Sequence, residues 1–177
     1  MIVRRGSCLM YEHQLPDYAY VKGYSEVLPG LFIAGEDDVD RLLYGEEEAR
    51  HFNNHFTFAT KPVPQIDCWI DLRDSRDSNR KVYVPDSVQK VDFPFKDGNV
   101  EEARAVIPQA LACLTDCMAQ GKRVLVSCHE GKSRSCLLVL LYLKTKMQAF
   151  EAEMLMQQKR PIASIDKRFK SWLSETH

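Results

Sequence analysis

The sequence predicts a single α/β domain whose central, mostly parallel sheet is flanked by helices, with a tight polar loop between one strand and a buried helix. Short apolar runs, typical of buried strands, alternate along the chain with longer segments of helical periodicity. This alternation favours a mostly parallel sheet with helices packed on it. The length of 177 residues suits one compact domain. In such sheets binding sites lie beyond the carboxyl ends of the strands, and the run "RVLVSC" ends at such a place.

The first part of the chain predicts an irregular start, a strand and a surface helix. Residues 1–25 form a tyrosine-rich N-terminal segment, and we place the folded domain at residues 26–177. Residues 31–34 follow a Pro-Gly turn and predict a strand. Residues 36–57 are polar and rich in Glu and His, which predicts a helix on the surface.

Two further strands and an amphipathic helix are predicted in the middle of the chain. Residues 66–72 are a short, mostly apolar run, and residues 88–95 alternate weakly between apolar and polar. Asn99 and Glu102 have the spacing of a capping box, so we expect a helix to begin there. Its apolar residues repeat with the helical period: Ala103, Val106, Ile107, Ala110, Leu111, Leu114, Cys117 and Met118.

The last third of the chain predicts a strand followed by three helices. The strand is "GKRVLVS", residues 121–127. The helix expected at residues 133–147 is apolar nearly all round, so it should be buried. Residues 150–159 and 166–175 predict two more helices, separated by Pro161.

Composition and charge argue against several functional classes. The net charge of −1 gives no general attraction to nucleic acid. The longest apolar run, residues 137–143, is far short of the ~20 residues that cross a bilayer, and the start lacks the apolar core of a secretion signal. We therefore expect no membrane insertion and a cytoplasmic location, with the nucleus as the alternative.

The six cysteines predict free thiols rather than a metal site. They stand at positions 8, 68, 113, 117, 128 and 136, and no two form a C-x-x-C pair. No cluster of metal-ligating residues is visible, so we expect neither a metal nor another cofactor. The sequence leaves the oligomeric state open.

The loop from Cys128 to Arg134 has the chemistry of an anion site. Cys128 ends a predicted strand, and Arg134 follows six residues later near a helix start. Backbone N–H groups of such a loop and the helix dipole together form a cradle for a tetrahedral dianion. Arg134 adds a planar fork that can hold two phosphate oxygens. The same field stabilises a thiolate, so we expect Cys128 to be an activated nucleophile below a bound phosphate.

Two other interpretations compete for this loop. A cysteine followed six residues later by an arginine arises easily by chance among six cysteines, but the glycine and serines between them, the strand before and the helix after make the pattern specific. The letters "EGKS" also match the end of a nucleotide-binding loop, G-x-x-x-x-G-K-[ST]. That loop needs its first glycine at position 126, where Val126 stands.

The loop resembles the signature of the cysteine-dependent protein tyrosine phosphatases, H-C-x-x-G-x-x-R-S/T. The chain has "SCHEGKSRS", and "GKSRS" is close to the G-x-S-R-S form of the small dual-specificity group. The resemblance extends over residues 27–173 and includes "LPGLFIAG" and "QQKRPIAS". It implies a phosphatase that hydrolyses phosphotyrosine, phosphoserine or phosphothreonine in proteins through a phosphocysteine intermediate.

The resemblance also implies a role for individual residues. Asp97 stands 31 residues before Cys128, where the family carries its general acid, and Asp92, inside a predicted strand, ranks second. Ser135 would donate a hydrogen bond to the departing sulfur. The implied catalytic residues are therefore Cys128, Arg134, Asp97 and Ser135. The phosphate would lie on the loop residues His129, Glu130, Gly131, Lys132, Ser133 and Arg134.

One residue departs from the family pattern. Ser127 stands where the family has the histidine that helps to stabilise the thiolate. A phosphate-binding module that has lost catalysis is therefore an alternative. Lys132 resembles the basic loop residues of phosphoinositide phosphatases, a second alternative, but Glu130 would repel a polyanionic head group. The expected partner is thus a phosphorylated protein.

Overall fold

The structure is a computed structural model that describes residues 23–44 and 64–175. Most of the tyrosine-rich N-terminal segment and residues 45–57 of the predicted surface helix lie outside the described residues. The strands are β1 (Ser25–Leu28), β2 (Leu31–Gly35), β3 (Cys68–Asp71), β4 (Gln89–Asp92) and β5 (Val124–Cys128). The helices are α1 (Glu36–Tyr44), α2 (Val100–Ala119), α3 (Arg134–Lys144), α4 (Ala149–Lys159) and α5 (Lys167–Glu175).

The five described strands form one sheet in the order β1-β2-β5-β3-β4. The pairings β2–β5, β5–β3 and β3–β4 are parallel, and only β1–β2 is antiparallel. The predicted α/β fold with a mostly parallel sheet is therefore confirmed. Gly35 pairs with Cys128, and Asp71 pairs with Ser127. The ends of three neighbouring strands thus lie side by side, and the loops that follow them converge.

The edge strand β1 was not predicted. It has four residues, one of them charged, so it lacks the apolar run that marks a buried strand. Only Ser25 and Val27 are buried, in the alternation expected at a sheet edge. The Pro-Gly turn joins β1 to β2, with Gly30 at a φ of +80° and its N–H donating to Glu26 Oε1 at 2.9 Å.

The two faces of the sheet carry separate apolar clusters. The larger lies under α2 and α3, and the predicted stripe of α2 buries Ala103, Ile107, Ala110, Leu114 and Cys117. The smaller includes the fully buried Trp69 and the apolar face of α1. Helix α3 contacts both α2 and α4 as well as the sheet, and it is buried nearly all round, as predicted.

Helix α2 begins where the sequence predicts, but the capping box is only half formed. Asn99 accepts a hydrogen bond from the Glu102 N–H at 3.2 Å. The Glu102 carboxylate does not return the bond to Asn99. It accepts instead from the Lys96 N–H at 2.7 Å and pairs with Arg76 at 2.7 Å. The start of α2 therefore fastens two loops that lead to the site.

No helix in the described ranges is both long enough and apolar enough to cross a membrane.

Candidate active site

Cys128 and Arg134 lie at the two ends of one loop, at the carboxyl end of the central strand. Cys128 is the last residue of β5, and Arg134 is the first residue of α3. Both are buried, at 2% and 3% exposure. Residues 129–133, which join them, are called the anion loop below.

The carbonyl groups of the anion loop are bonded to its surroundings. The carbonyl of His129 accepts from the Glu36 N–H at 2.9 Å, and that of Lys132 accepts from the Ser164 N–H at 2.8 Å. The carbonyl of Gly131 accepts from Arg160 Nε at 2.6 Å. By contrast, no backbone N–H of residues 129–133 donates to another residue in the described part of the chain. These N–H groups are therefore available to an external acceptor.

Gly131 gives the anion loop its shape. Its φ is +68°, in the left-handed region that favours glycine. A Cβ at this position would lie 2.6 Å from the carbonyl carbon of Ala34, from the Gly35 nitrogen and from Arg160 Nη2. The loop is therefore packed against the end of β2 with no space for a side chain.

Arg160 fixes the outer side of the anion loop. Its guanidinium is buried and also donates to the Gly23 carbonyl at 3.2 Å and to Ser25 Oγ at 3.0 Å. Burial lowers the pKa of Arg160. One side chain thus joins the late "RP" segment, the early strand and Gly131, which are far apart in sequence.

Arg134 has one occupied and one free guanidinium edge. Nη1 donates to the Phe95 carbonyl at 2.9 Å and to the Leu72 carbonyl at 3.4 Å, and it lies 2.6 Å from Asp77 Oδ2. Nε is buried, and neither it nor Nη2 has a hydrogen-bond partner among the described residues. An unpaired buried donor costs about 1–3 kcal/mol. The Nε–Nη2 edge is the one that binds two phosphate oxygens in bidentate contacts.

Ser135 and Asp97 both contact the loop or its cysteine. Ser135 Oγ lies 3.2 Å from Cys128 Sγ, within hydrogen-bond distance for sulfur. Ser133 Oγ donates to Asp97 Oδ1 at 2.7 Å and accepts from the Asp166 N–H at 3.0 Å. Every residue expected in the catalytic set therefore lies at an end of the anion loop or contacts the loop or one of its ends.

Asp92, the second candidate acid, is directed elsewhere. It ends β4, its side chain is 60% exposed, and it pairs with Lys90. Among the hydrogen bonds and ion pairs of the described residues, none joins Asp92 to the anion loop.

Ser127 occupies a fully buried position beside a tryptophan. Its Oγ accepts a hydrogen bond from Trp69 Nε1 at 2.8 Å. The Trp69 ring also lies under two cations, Lys90 Nζ at 4.7 Å and the Arg73 guanidinium at 5.4 Å from the ring centroid. Ser127 is therefore bonded to the indole of the neighbouring strand β3.

The remaining loop side chains form ion pairs at the surface. Lys132 Nζ lies 2.8 Å from Glu130 Oε2, and both side chains are exposed, at 42% and 61%. The hydrogen bond from Lys132 lowers the pKa of Glu130. His129 Nδ1 lies 3.0 Å from Glu36 Oε1, although the contact lacks the angle of a hydrogen bond. The rim therefore adds little net positive charge.

Asp77 and Trp69 could not be identified from the sequence as residues of the site. The charged stretch that contains Asp77 has the pattern of a solvated loop, and nothing in it marks one carboxylate as the partner of Arg134. Trp69 lies in an apolar run that predicts only a buried strand. Both contacts depend on chain segments that the fold brings together.

Comparison with known proteins agrees with this geometry. The profile of the dual specificity phosphatase catalytic domain matches residues 52–177. The human tyrosine phosphatase-like serine/threonine/tyrosine-interacting protein has a similar structure, with a TM-score of 0.67, 20% identity, and coverage of 88% of this chain and 95% of its own. No curated protein has a matching sequence.

Two further solved structures share the fold. Human DUSP28 has a TM-score of 0.62 and 19% identity, and the match covers 86% of this chain and 90% of that protein. A mouse putative dual specificity phosphatase, solved in complex with zinc tungstate, has a TM-score of 0.59 and 20% identity, with coverage of 86% and 84%.

The sheet topology and the cysteine-to-arginine loop place the chain in the class of cysteine-dependent phosphatase folds. Within that class, the profile match shows that the chain belongs to the dual specificity phosphatase family. The resemblance found in the sequence is thereby confirmed.

Proposed function

We propose that the protein hydrolyses phosphotyrosine, phosphoserine or phosphothreonine in proteins through a phosphocysteine at Cys128. The observation that supports this most strongly is the anion loop. Its N–H groups have no partner among the described residues, and the buried Arg134, with its free edge, directly follows the loop. Donors fixed in advance stabilise the charge of a phosphoryl transition state without reorganisation.

In the first step, Cys128 Sγ attacks phosphorus as a thiolate. The S–P bond forms while the bond to the leaving oxygen breaks, and Asp97 gives that oxygen a proton. The loop N–H groups and the Nε–Nη2 edge of Arg134 hold the equatorial oxygens. Ser133 supports this step because its hydrogen bond orients the Asp97 carboxylate.

In the second step, water attacks phosphorus and displaces the sulfur. Asp97 now takes the proton from the water, and inorganic phosphate leaves. Ser135 Oγ, 3.2 Å from the sulfur, donates to the departing thiolate. Every bond change is thus assigned to a group of this chain, to the substrate or to water.

A phosphoprotein substrate fits the rim better than a phosphoinositide. Because Lys132 pairs with Glu130, the anion loop presents little excess charge to a polyanionic head group. The rate of phosphate release from phosphopeptides, compared with that from soluble phosphoinositides, tests this choice. We also propose that the protein acts in the cytoplasm and that residues 26–177 form its catalytic domain.

A catalytically impaired phosphate-binding module is the second candidate. Ser127 in place of the family histidine supports it, since Ser127 is bonded to Trp69 and brings no imidazole. A neighbour of similar fold is itself called phosphatase-like. This candidate retains oxyanion binding and lacks turnover.

Turnover of an aryl phosphate separates the two candidates. We expect the wild-type chain to release phosphate and Cys128→Ser to release none while still binding tungstate. Tungstate binding by both chains without turnover by the wild type would reject the phosphatase and support the binding module.

A further inference from the structure

Arg134 forms an ion pair with a carboxylate from a loop that is distant in sequence. Residues 73–80 are called the 73–80 segment here. Asp77, in this segment, places Oδ2 2.6 Å from Arg134 Nη1, which is the shortest contact of the guanidinium. The Asp77 side chain is 24% exposed and that of Arg134 only 4%. A partly exposed carboxylate therefore lies beside a buried guanidinium.

The 73–80 segment holds Asp77 in place. The Asp77 N–H donates to the Asp74 carbonyl at 3.0 Å, which closes a turn. Asp74 is itself buried, and its Oδ1 accepts from the Arg76 N–H at 2.8 Å. Arg76 then joins the turn to Glu102 at the start of α2, at 2.7 Å. Asp77 thus lies in a turn that is held by hydrogen bonds and by an ion pair to α2.

On the basis of the phosphatase function proposed above, we infer that Asp77 is a positioning residue. Its carboxylate adds an ion pair at Nη1 to the hydrogen bonds that Nη1 donates to the Phe95 and Leu72 carbonyls. Together these contacts keep the guanidinium oriented so that Nε and Nη2 face the phosphate. The negative charge of Asp77 opposes the binding of a dianion, so its benefit comes through orientation. Small misplacements of a group that contacts the transition state reduce rates strongly.

Two substitutions at this position separate orientation from charge. Asp77→Asn and Asp77→Ala remove the same negative charge, so any electrostatic effect on anion binding is equal in both. They differ because the asparagine amide would keep an oxygen near Nη1, whereas alanine leaves a gap. The matched control is Asp37→Ala, since Asp37 pairs with Arg80 of the same segment at 2.9 Å but is 94% exposed and does not contact Arg134.

The experiment measures tungstate affinity by calorimetry, kcat and KM for an aryl phosphate, and the melting temperature of each full-length chain. We expect Asp77→Asn to exceed Asp77→Ala about tenfold in both tungstate affinity and kcat, the scale of one charge-assisted contact. The melting temperatures of the two variants should agree, and Asp37→Ala should stay within about twofold of wild type in both readouts, as exposed ion pairs contribute little.

The results also distinguish this inference from the proposed function. If Asp77→Asn and Asp77→Ala bind tungstate equally, the inference is wrong, whatever the turnover. If wild type shows no turnover but the two variants differ in tungstate affinity, the positioning role holds and the phosphatase proposal fails. If the two variants differ in tungstate affinity and kcat only in proportion to their melting temperatures, Asp77 has a structural role only, and the inference is wrong.

Discussion

Replacing Gly131 by alanine should destabilise the protein by more than the cost of the left-handed backbone conformation alone. At a φ of +68°, alanine costs about 1–2 kcal/mol because of its Cβ. The same Cβ would lie 2.6 Å from two backbone atoms of β2 and from the buried Arg160 guanidinium. Backbone atoms of a strand that is paired on both sides cannot move without breaking its hydrogen bonds, so we add about 1–3 kcal/mol for the displaced packing.

Gly121→Ala supplies the matched control for this prediction. Gly121 has nearly the same φ, +71°, but a Cβ there would meet no atom within 4 Å. The control therefore loses only the conformational preference, about 1–2 kcal/mol. Gly121 precedes β5, whereas the site lies at the carboxyl end of that strand. Turnover should therefore be unchanged in this variant.

Urea unfolding and aryl phosphate turnover test the pair together. We expect Gly131→Ala to lower the free energy of unfolding by about 1–3 kcal/mol more than Gly121→Ala and to lose most turnover, because the loop N–H groups no longer converge. Equal stability of the two variants, with turnover retained in Gly131→Ala, would refute the packing argument.

Three further predictions concern single carboxylates and their partners. Asp97→Asn should lower kcat at least about 100-fold, as loss of a general acid does, whereas Asp92→Asn should leave it within about twofold; equal losses in steady-state kinetics would reject the assignment of the acid. Ser133→Ala should lower kcat about tenfold because the Asp97 carboxylate loses the hydrogen bond that orients it, and it should lower the melting temperature because the Asp166 N–H also loses its acceptor; an unchanged kcat would show that the hydrogen bond to Asp97 is dispensable. Burial raises the pKa of Asp38 to about 6, above its unfolded value, so this group stabilises the fold below pH 3.8 and the contribution is lost as pH rises towards 6. Asp38→Asn should therefore gain stability over wild type across that interval, up to about 3 kcal/mol, and parallel stability curves from urea unfolding would contradict this.

The parts of the site that could be predicted are local in sequence. Cys128, Gly131 and Arg134 belong to one short loop, and their spacing alone determines a strand end, a turn and a helix start. Asp97 was proposed as the general acid from the resemblance to a known family, and in the structure it accepts a hydrogen bond from Ser133. Helix α2 was predicted from its cap and its apolar period, both of which are local signals.

The parts that could not be predicted depend on contacts between distant segments. The Trp69–Ser127 hydrogen bond and the Asp77–Arg134 ion pair each join residues from different strands or loops. The periodicity of the sequence does not predict such contacts, because the same side chains are also typical of any buried strand or solvated loop. The strand β1 was missed for a related reason, since its place in the sheet depends on pairing with β2 and on the Arg160 contact with Ser25.

The capping box shows how tertiary contacts redirect a local motif. Asn99 and Glu102 have the right spacing, but Arg76 and the Lys96 N–H take the Glu102 carboxylate. The helix still begins after Asn99, and the Glu102 carboxylate binds the loops beside the site instead of the Asn99 N–H.

The most direct test of the proposed chemistry is to trap the phosphorylated enzyme. Rapid acid quenching of Asp97→Ala during turnover of an aryl phosphate, followed by peptide mass spectrometry, should reveal one phosphoryl group on Cys128, because the second step then lacks its base. The mechanism would be contradicted if the wild-type chain turned over the aryl phosphate but quenched Asp97→Ala carried no phosphoryl group on Cys128. A phosphoryl group on another residue would contradict it as well.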